Sequence, residues 1–320
     1  MKFGIDHPNF SYDGEGPEMV ESLRRLGTEA ERYNFDSFWV VDHFHAGPFT
    51  NSSQSPTDPI LESWTTLGVM AGITSKIRLG TMVTGIVYRS PSLLAKMGAT
   101  LDNLSKGRLF MGIGAAWNAE ESAAYGIPFP STSERLRRLE EAVQIIRKMW
   151  TEDKASFKGE FYQIQDAYCN PKPIQKPYPP ILIGGGGERQ TLRLVAKYAD
   201  ACNLFFGSPE TVRRKFGILR EHCKAFGRNY DDIVKSRVSG VVIGEDSDTV
   251  RRRVAEFRNY QEQFWNKYEP EMIVGTPEEV KRRIELFREA GVDYMIVWFP
   301  NTQHELESLR LFGDEVSNKM

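Results

Sequence analysis

Cysteine is scarce in this chain: Cys169, Cys202 and Cys223 stand far apart, with no CxxC spacing. So sparse and odd a set excludes a disulfide framework and points to a reducing compartment. Long apolar runs are missing too. None approaches the roughly 18 residues that a membrane span needs. The stretch MKFGIDHPNF is interrupted by Asp6 and His7 before an apolar core forms, which argues against a signal peptide. Neither sign of charge is in excess, since the formal net charge is −2. That leaves no basic footprint for nucleic acid and no acidic solvating tail. No GxGxxG turn follows the first apolar run, where Asp6, His7 and Pro8 stand instead. A doubly wound dinucleotide-binding sheet would want that turn. There is no low-complexity tail, short-period repeat or dividing linker. The expectation is a cytoplasmic protein with one domain over residues 1–320, binding neither nucleic acid nor membrane.

What is present is an alternation. Hydrophobic residues make up 40% of the 320, enough for a large core. Short apolar runs predict strands over 3–6, 37–41, 77–83, 108–113, 181–183, 201–205, 234–243 and 294–299. Amphipathic patterns predict helices over 17–34, 60–73, 91–104, 134–150, 209–226, 249–266 and 277–290, with another opened by Gly184–Gly187 and running to Tyr198, and a last one from Gln303. Residues 155–166 alternate around Lys158-Gly159 and predict an inserted hairpin. The loop over 46–59 and an extra helix near 250–275 are further insertions. Eight strands, each followed by a helix, imply a parallel sheet closed into a single (β/α)8 TIM barrel.

In a barrel, chemistry sits at the C-terminal ends of the strands. Four of those ends carry candidates, of which Gly80–Thr84 (GTMVT) is in isolation only a strand end. Asp42 and His43 close strand two. Histidine exchanges protons near neutral pH, and neighbours on a regular strand point to opposite faces. One of the pair is therefore expected to face the site, taken as His43, while the other braces the loop. A structural histidine is the plain alternative. His43 and His45 with Asp42 also have the look of a metal cluster, but the later strand ends supply no histidine or lysine to complete it. Gly184, Gly185, Gly186 and Gly187 free the backbone to approach an anion such as phosphate, where a tight turn is the alternative. Gly112–Glu121 (GIGAAWNAEE) leaves space at the end of strand four, and Trp117 could wall a planar ring or pack beneath a loop. Phe44, Phe49, Tyr88 and Trp298 suggest an apolar pocket. Arg189 and Arg193 are candidates to line a cationic groove near the glycines.

The segments SFWVVDHF (37–44), IRLGTMVTGIVYRSPSLLAK (77–96), GRLFMGIGAAWNAEESAAYGIPFP (107–130), PPILIGGGGERQTLRLVAKYADACN (179–203) and VGTPEEVKRRIELFREAGVDYMIV (274–297) resemble the bacterial-luciferase-like superfamily. They are most similar to its branch of oxidoreductases using coenzyme F420, a 5-deazaflavin. The resemblance spans nearly the whole chain, in order. It implies a TIM barrel, a non-prolyl cis peptide at Met82-Val83 behind the deazaflavin ring, and an active-site pair at Asp42 and His43. It places Ala115, Ala116 and Trp117 beside the ring and Gly184–Gly187 at the cofactor phosphate. Sugar-phosphate dehydrogenases of the superfamily carry a glutamate where Trp117 aligns, which counts against that substrate class here, and Glu120 and Glu121 are the nearest carboxylates. The implied activity is hydride transfer between F420 and a small organic substrate, with His43 relaying the proton. The alternatives are an FMN-dependent monooxygenase using dioxygen and a non-catalytic flavin-binding barrel. The resemblance also implies a homodimer built on the helices after strands two and three.

Overall fold

The computed structural model describes residues 1–7, 17–46, 58–300 and 306–320. Among these the strands are β1 (Lys2–His7), β2 (Ser37–Val40), β3 (Arg78–Thr81), β4 (Thr84–Gly85), β5 (Met111–Gly114), β6 (Ala155–Lys158), β7 (Gln163–Ala167), β8 (Ile181–Gly184), β9 (Ala201–Phe205), β10 (Val234–Ile243), β11 (Ile273–Gly275) and β12 (Tyr294–Trp298). Nine of them pair in the order β3-β2-β1-β12-β10-β9-β8-β5-β4, all parallel, and β11 joins the upper end of β10. A bridge between Leu79 and Leu109 brings the two ends of that path together. β3 and β4 are two halves of one strand, broken at a cis peptide between Met82 and Val83. Counted so, eight strands form the nearly closed barrel that the alternation predicts.

The strands form where sequence buries both faces. In β2 all four residues are buried, as a parallel strand covered by helices requires. Inside the barrel, Trp39, Phe110, Leu182, Val238, Tyr294 and Ile296 make a packed layer. Around it, the helices bury a larger apolar shell. Helix starts follow their caps. Ser90 caps Pro91–Leu104, Ser131 caps Thr132–Thr151, and Thr276 with Glu279 forms a capping box on Pro277–Glu289. The hairpin β6–β7 is present, and the Glu141 carboxylate accepts from the Glu160, Phe161 and Tyr162 amides in its turn.

Four expectations need correction. The helix expected over 60–73 begins at Ser63, because Glu62 caps it by accepting from the Trp64 and Thr65 amides. The fourth strand starts at Met111 rather than Arg108, whose buried guanidinium donates instead to Ser105 O, Ile77 O and Ala71 O. The helix after β8 begins at Thr191, so Gly184 ends the strand and Gly185, Gly186 and Gly187 form a loop rather than the helix's first turn. The helix expected over 249–266 is two, Ser247–Tyr260 and Glu262–Tyr268, broken at the buried Gln261. Phe49, most of the 46–59 loop, and the expected helix start at Gln303 lie outside the described residues.

Candidate active site

The C-terminal strand ends enclose a cavity of about 670 Å³, a volume typical of cofactor and substrate sites. Of the residues expected from sequence, Asp42, His43, Met82, Val83, Ala115, Ala116, Trp117, Gly184, Gly185, Gly186 and Gly187 line it, as do Tyr88 and Trp298, whereas Phe44 does not.

β2 ends at Val40, so Asp42 and His43 lie beyond regular strand. Strand alternation no longer separates them, and both reach the cavity. Their environments differ sharply. The Asp42 side chain is fully buried and accepts from Ser63 Oγ at 2.6 Å and from both terminal nitrogens of Arg89, at 2.7 and 3.0 Å. Arg89 also donates to Glu62. Such a two-pronged, charge-assisted pair fixes a loop firmly.

His43 is held by Glu121, whose Oε2 lies 2.8 Å from Nδ1. Glu121 is fully buried. It also accepts from the Phe44 and His45 amides and from the Tyr88 hydroxyl. Burial pushes the Glu121 carboxyl upward, but the bonds from His43, the Phe44 amide and Tyr88 outweigh it and keep it below its usual value. An ionised carboxylate only accepts, so His43 carries its proton on Nδ1 and leaves Nε2 for exchange. Burial, then the Glu121 charge, pushes the Tyr88 phenol up. Trp117 meets the His43 ring edge to face, with centroids 5.4 Å apart.

Glu121 is the residue that sequence reading undervalued. Its placement depends on Asn118, whose side chain accepts from the Glu121 amide and caps a short helix, Ala119–Ala124. An Asn followed three residues on by Glu is a helix-start signal that reading the segment as a strand end hides. A carboxylate on His43 thus comes from the first turn of the helix that follows Trp117. His45 bonds Ala46 O rather than joining His43. Among the described residues, no group of three His, Cys, Asp or Glu is placed to hold a metal ion.

The cis peptide makes the cavity's inner wall. A Cβ on Gly112 would stand 1.8 Å from Thr81 O, and one on Gly114 or Gly184 would lie 2.7 or 2.9 Å from a Val83 methyl. Only glycine on β5 and at the end of β8 leaves room for Val83 to turn inward. The next loop lines the cavity with glycine backbone, beside Thr191. Gly185 has φ +119°, a conformation open to glycine. Gly187 lies against Thr191, where a Cβ would meet Oγ1 at 2.7 Å. Behind the loop, Lys215 Nζ donates to Gly186 O. Arg193 instead stacks over Phe226, and neither it nor Arg189 lines the cavity. The opposite wall is aromatic. Phe257, Phe264 and Tyr268 come from the broken helix pair and pack with Phe206 and Trp298.

Among the described residues, no helix is long and apolar enough to cross a membrane. The chain matches the luciferase-like monooxygenase family over residues 1–294. An uncharacterized protein of Mycobacterium tuberculosis is 36% identical over 181 residues, which are 53% of this chain and 63% of that protein. An F420-dependent glucose-6-phosphate dehydrogenase of Kineococcus radiotolerans is 34% identical over 66% of this chain and 60% of its own length. The chain thus spans less than two thirds of either relative. An FMNH2-dependent dimethylsulfone monooxygenase of Pseudomonas putida is 27% identical over 90% of this chain and 85% of its own. In three dimensions, an F420-dependent secondary alcohol dehydrogenase superposes with a TM-score of 0.81 at 21% identity, covering 98% of both chains, which is a likeness of fold. With its barrel, broken third strand and glycine-lined cavity, the chain belongs to the luciferase-like monooxygenase family.

Proposed function

We propose that this protein is an oxidoreductase that transfers a hydride between coenzyme F420 and a small organic substrate. The observation that carries the reading is the His43–Glu121 pair, set over a cavity walled by Val83 and ending in a phosphate-type cradle. The loop fits a ribityl phosphate, since the Gly186 and Gly187 backbone and Thr191 line the cavity there and the Lys215 ammonium lies behind it on Gly186 O. When bound there, a deazaflavin supplies the hydride chemistry, and the protein supplies position and electrostatics. Met82 and Val83 back the ring. Ala115, Ala116 and Trp117 border it. His43 gives or takes the accompanying proton at Nε2, and Glu121 holds its tautomer. The aromatic wall excludes water from the reacting atoms.

The test is a titration of the full chain with F420 and, separately, with FMN, followed by tryptophan fluorescence. Tighter binding of F420 supports the reading. Preference for FMN replaces it with an FMN-dependent monooxygenase, to be followed by oxygen uptake. His43→Ala should keep cofactor affinity and lose about 100-fold or more in turnover. Unchanged turnover would remove its proposed role.

We also carry forward a homodimer. Val69 and Leu93, on the helices after β2 and the broken third strand, are solvent-exposed, and Gly68 and Gly72 leave open space beside them. Light scattering that reads a monomer mass at micromolar concentration rules it out.

A further inference from the structure

Two carboxyl groups line the cavity, and one of them keeps an oxygen without a partner. Asp42 is saturated by Arg89 and Ser63. Asp6, near the end of β1, is 5% exposed, lines the cavity, and has no hydrogen-bond partner for its Oδ1. A buried polar atom left unmatched costs about 1–3 kcal/mol, so its persistence calls for a reason. Packing does not give one. Strand register sets Asp6 beside Trp39 on β2, and the next position along β12 beyond Val297, the partner of Ile5, is Trp298. Both are aromatic neighbours on which a Leu or Val would pack well. The Trp39 indole nitrogen points to the layer below, 3.1 Å from where a Cβ on Gly4 would stand.

We propose that Asp6 contacts the bound cofactor, its carboxyl donating a hydrogen bond to an acceptor on the edge of the tricyclic ring. The inference rests on the cofactor reading above. β1 lies one strand beyond β2 from the Met82-Val83 peptide, and Met82 N is bonded to Val40 O. Two strand spacings amount to about 10 Å. A tricyclic ring backed by Val83 would be long enough to span that distance, and Asp6, Met82 and Val83 line the same cavity.

The chemistry suits a donor. Burial pushes the Asp6 carboxyl up to about 8, with the His7 backbone pulling weakly the other way. At neutral pH the group is therefore a neutral acid with an O–H to give. A carboxylic acid kept neutral by an apolar site can donate to an oxygen on which charge develops. The other ionisable groups lining the cavity are Asp42, His43, Tyr88, Lys267 and Tyr268. His7 adjoins Asp6 on β1, and Tyr294 belongs to the layer beneath.

The test uses the full chain, F420 and FMN, and two readouts. In infrared difference spectra at neutral pH, the acid carbonyl stretch assigned to Asp6 by its loss in Asp6→Asn should shift when cofactor binds. In fluorescence titrations, Asp6→Ala should bind the preferred cofactor about tenfold more weakly, the worth of one hydrogen bond to a buried partner. Asp6→Asn, which keeps a donor, should retain most of that affinity. An unshifted carboxyl band with cofactor bound, or wild-type affinity in Asp6→Ala, overturns the inference and leaves the cofactor reading standing. If wild type binds neither cofactor, both fall together.

Discussion

Replacing Asp6 by asparagine should make this protein more stable at neutral pH. In the unfolded chain the carboxyl ionises near 3.8, whereas in the fold burial moves it to about 8. The folded state therefore keeps a proton that the unfolded state has released. Stability is full below the unfolded value, falls as pH rises from 3.8, and levels off above about 8. At about 1.4 kcal/mol per pH unit, the penalty reaches about 4 kcal/mol at pH 7. An asparagine in the same place avoids it but leaves its amide short of partners, which costs about 1–3 kcal/mol. The net gain expected is about 1–3 kcal/mol. The adjacent His7 gives the experiment an internal reference. Burial lowers its value from 6.5 to about 3, so its contribution is full above 6.5 and lost as pH falls. Between 3.8 and 6.5 the two slopes oppose and cancel. Between 6.5 and about 8 only Asp6 acts, and wild type should lose about 2 kcal/mol. Guanidinium unfolding, followed by tryptophan fluorescence at several pH values, measures this directly. Asp6→Asn should be flat over that upper interval. Parallel curves for wild type and Asp6→Asn would refute the reasoning.

Three further outcomes are expected. Glu121→Gln should cost about 2–4 kcal/mol in urea unfolding, because several buried donors lose their charged acceptor together; a loss below about 0.5 kcal/mol would mean the network is slack. Gly112→Ala should fail to accumulate as soluble protein, since its methyl would occupy the space of Thr81 O, and a soluble variant with wild-type circular dichroism would contradict the packing. Lys215→Ala should weaken F420 and FMN alike by about tenfold, more at low salt than at high, because it removes a charge beside the phosphate cradle. Loss of affinity for one cofactor only would move the phosphate elsewhere.

The barrel was legible because its strands are short buried runs bounded by helix caps, and Pro91–Leu104, Ala201–Phe205 and Val234–Ile243 fall where the pattern puts them. Boundaries slipped where a side chain rather than hydropathy sets them: Glu62 caps one helix late, and Gln261 divides another. The break at Met82-Val83 came only from resemblance. In the sequence it reads as continuous strand, and the glycines that admit it lie on other strands, far along the chain. Glu121 shows in the sequence only as a carboxylate near Trp117, and Arg89 leaves no signal there, for a related reason. Each acts on a residue 78 or 47 positions away, and no local period records that. Asp6 was visible as a strand end, but its want of a partner is a property of the assembled barrel.

The clasp around Val83 also bears on how such a protein can change over generations. Gly112, Gly114 and Gly184 sit on two neighbouring strands, and a methyl on any of them would press on the broken third strand, at Thr81 O for the first and at a Val83 methyl for the other two. A change at any of these sites requires the broken strand to shift, so the wall is held as a block. The helices Ser247–Tyr260 and Glu262–Tyr268 face it across the cavity under no such interlock. Their aromatic residues meet the cavity as side chains, with no backbone carbonyl in the way of a change. Descendants of this chain would therefore drift in what they accept long before they drift in how the inner wall is built.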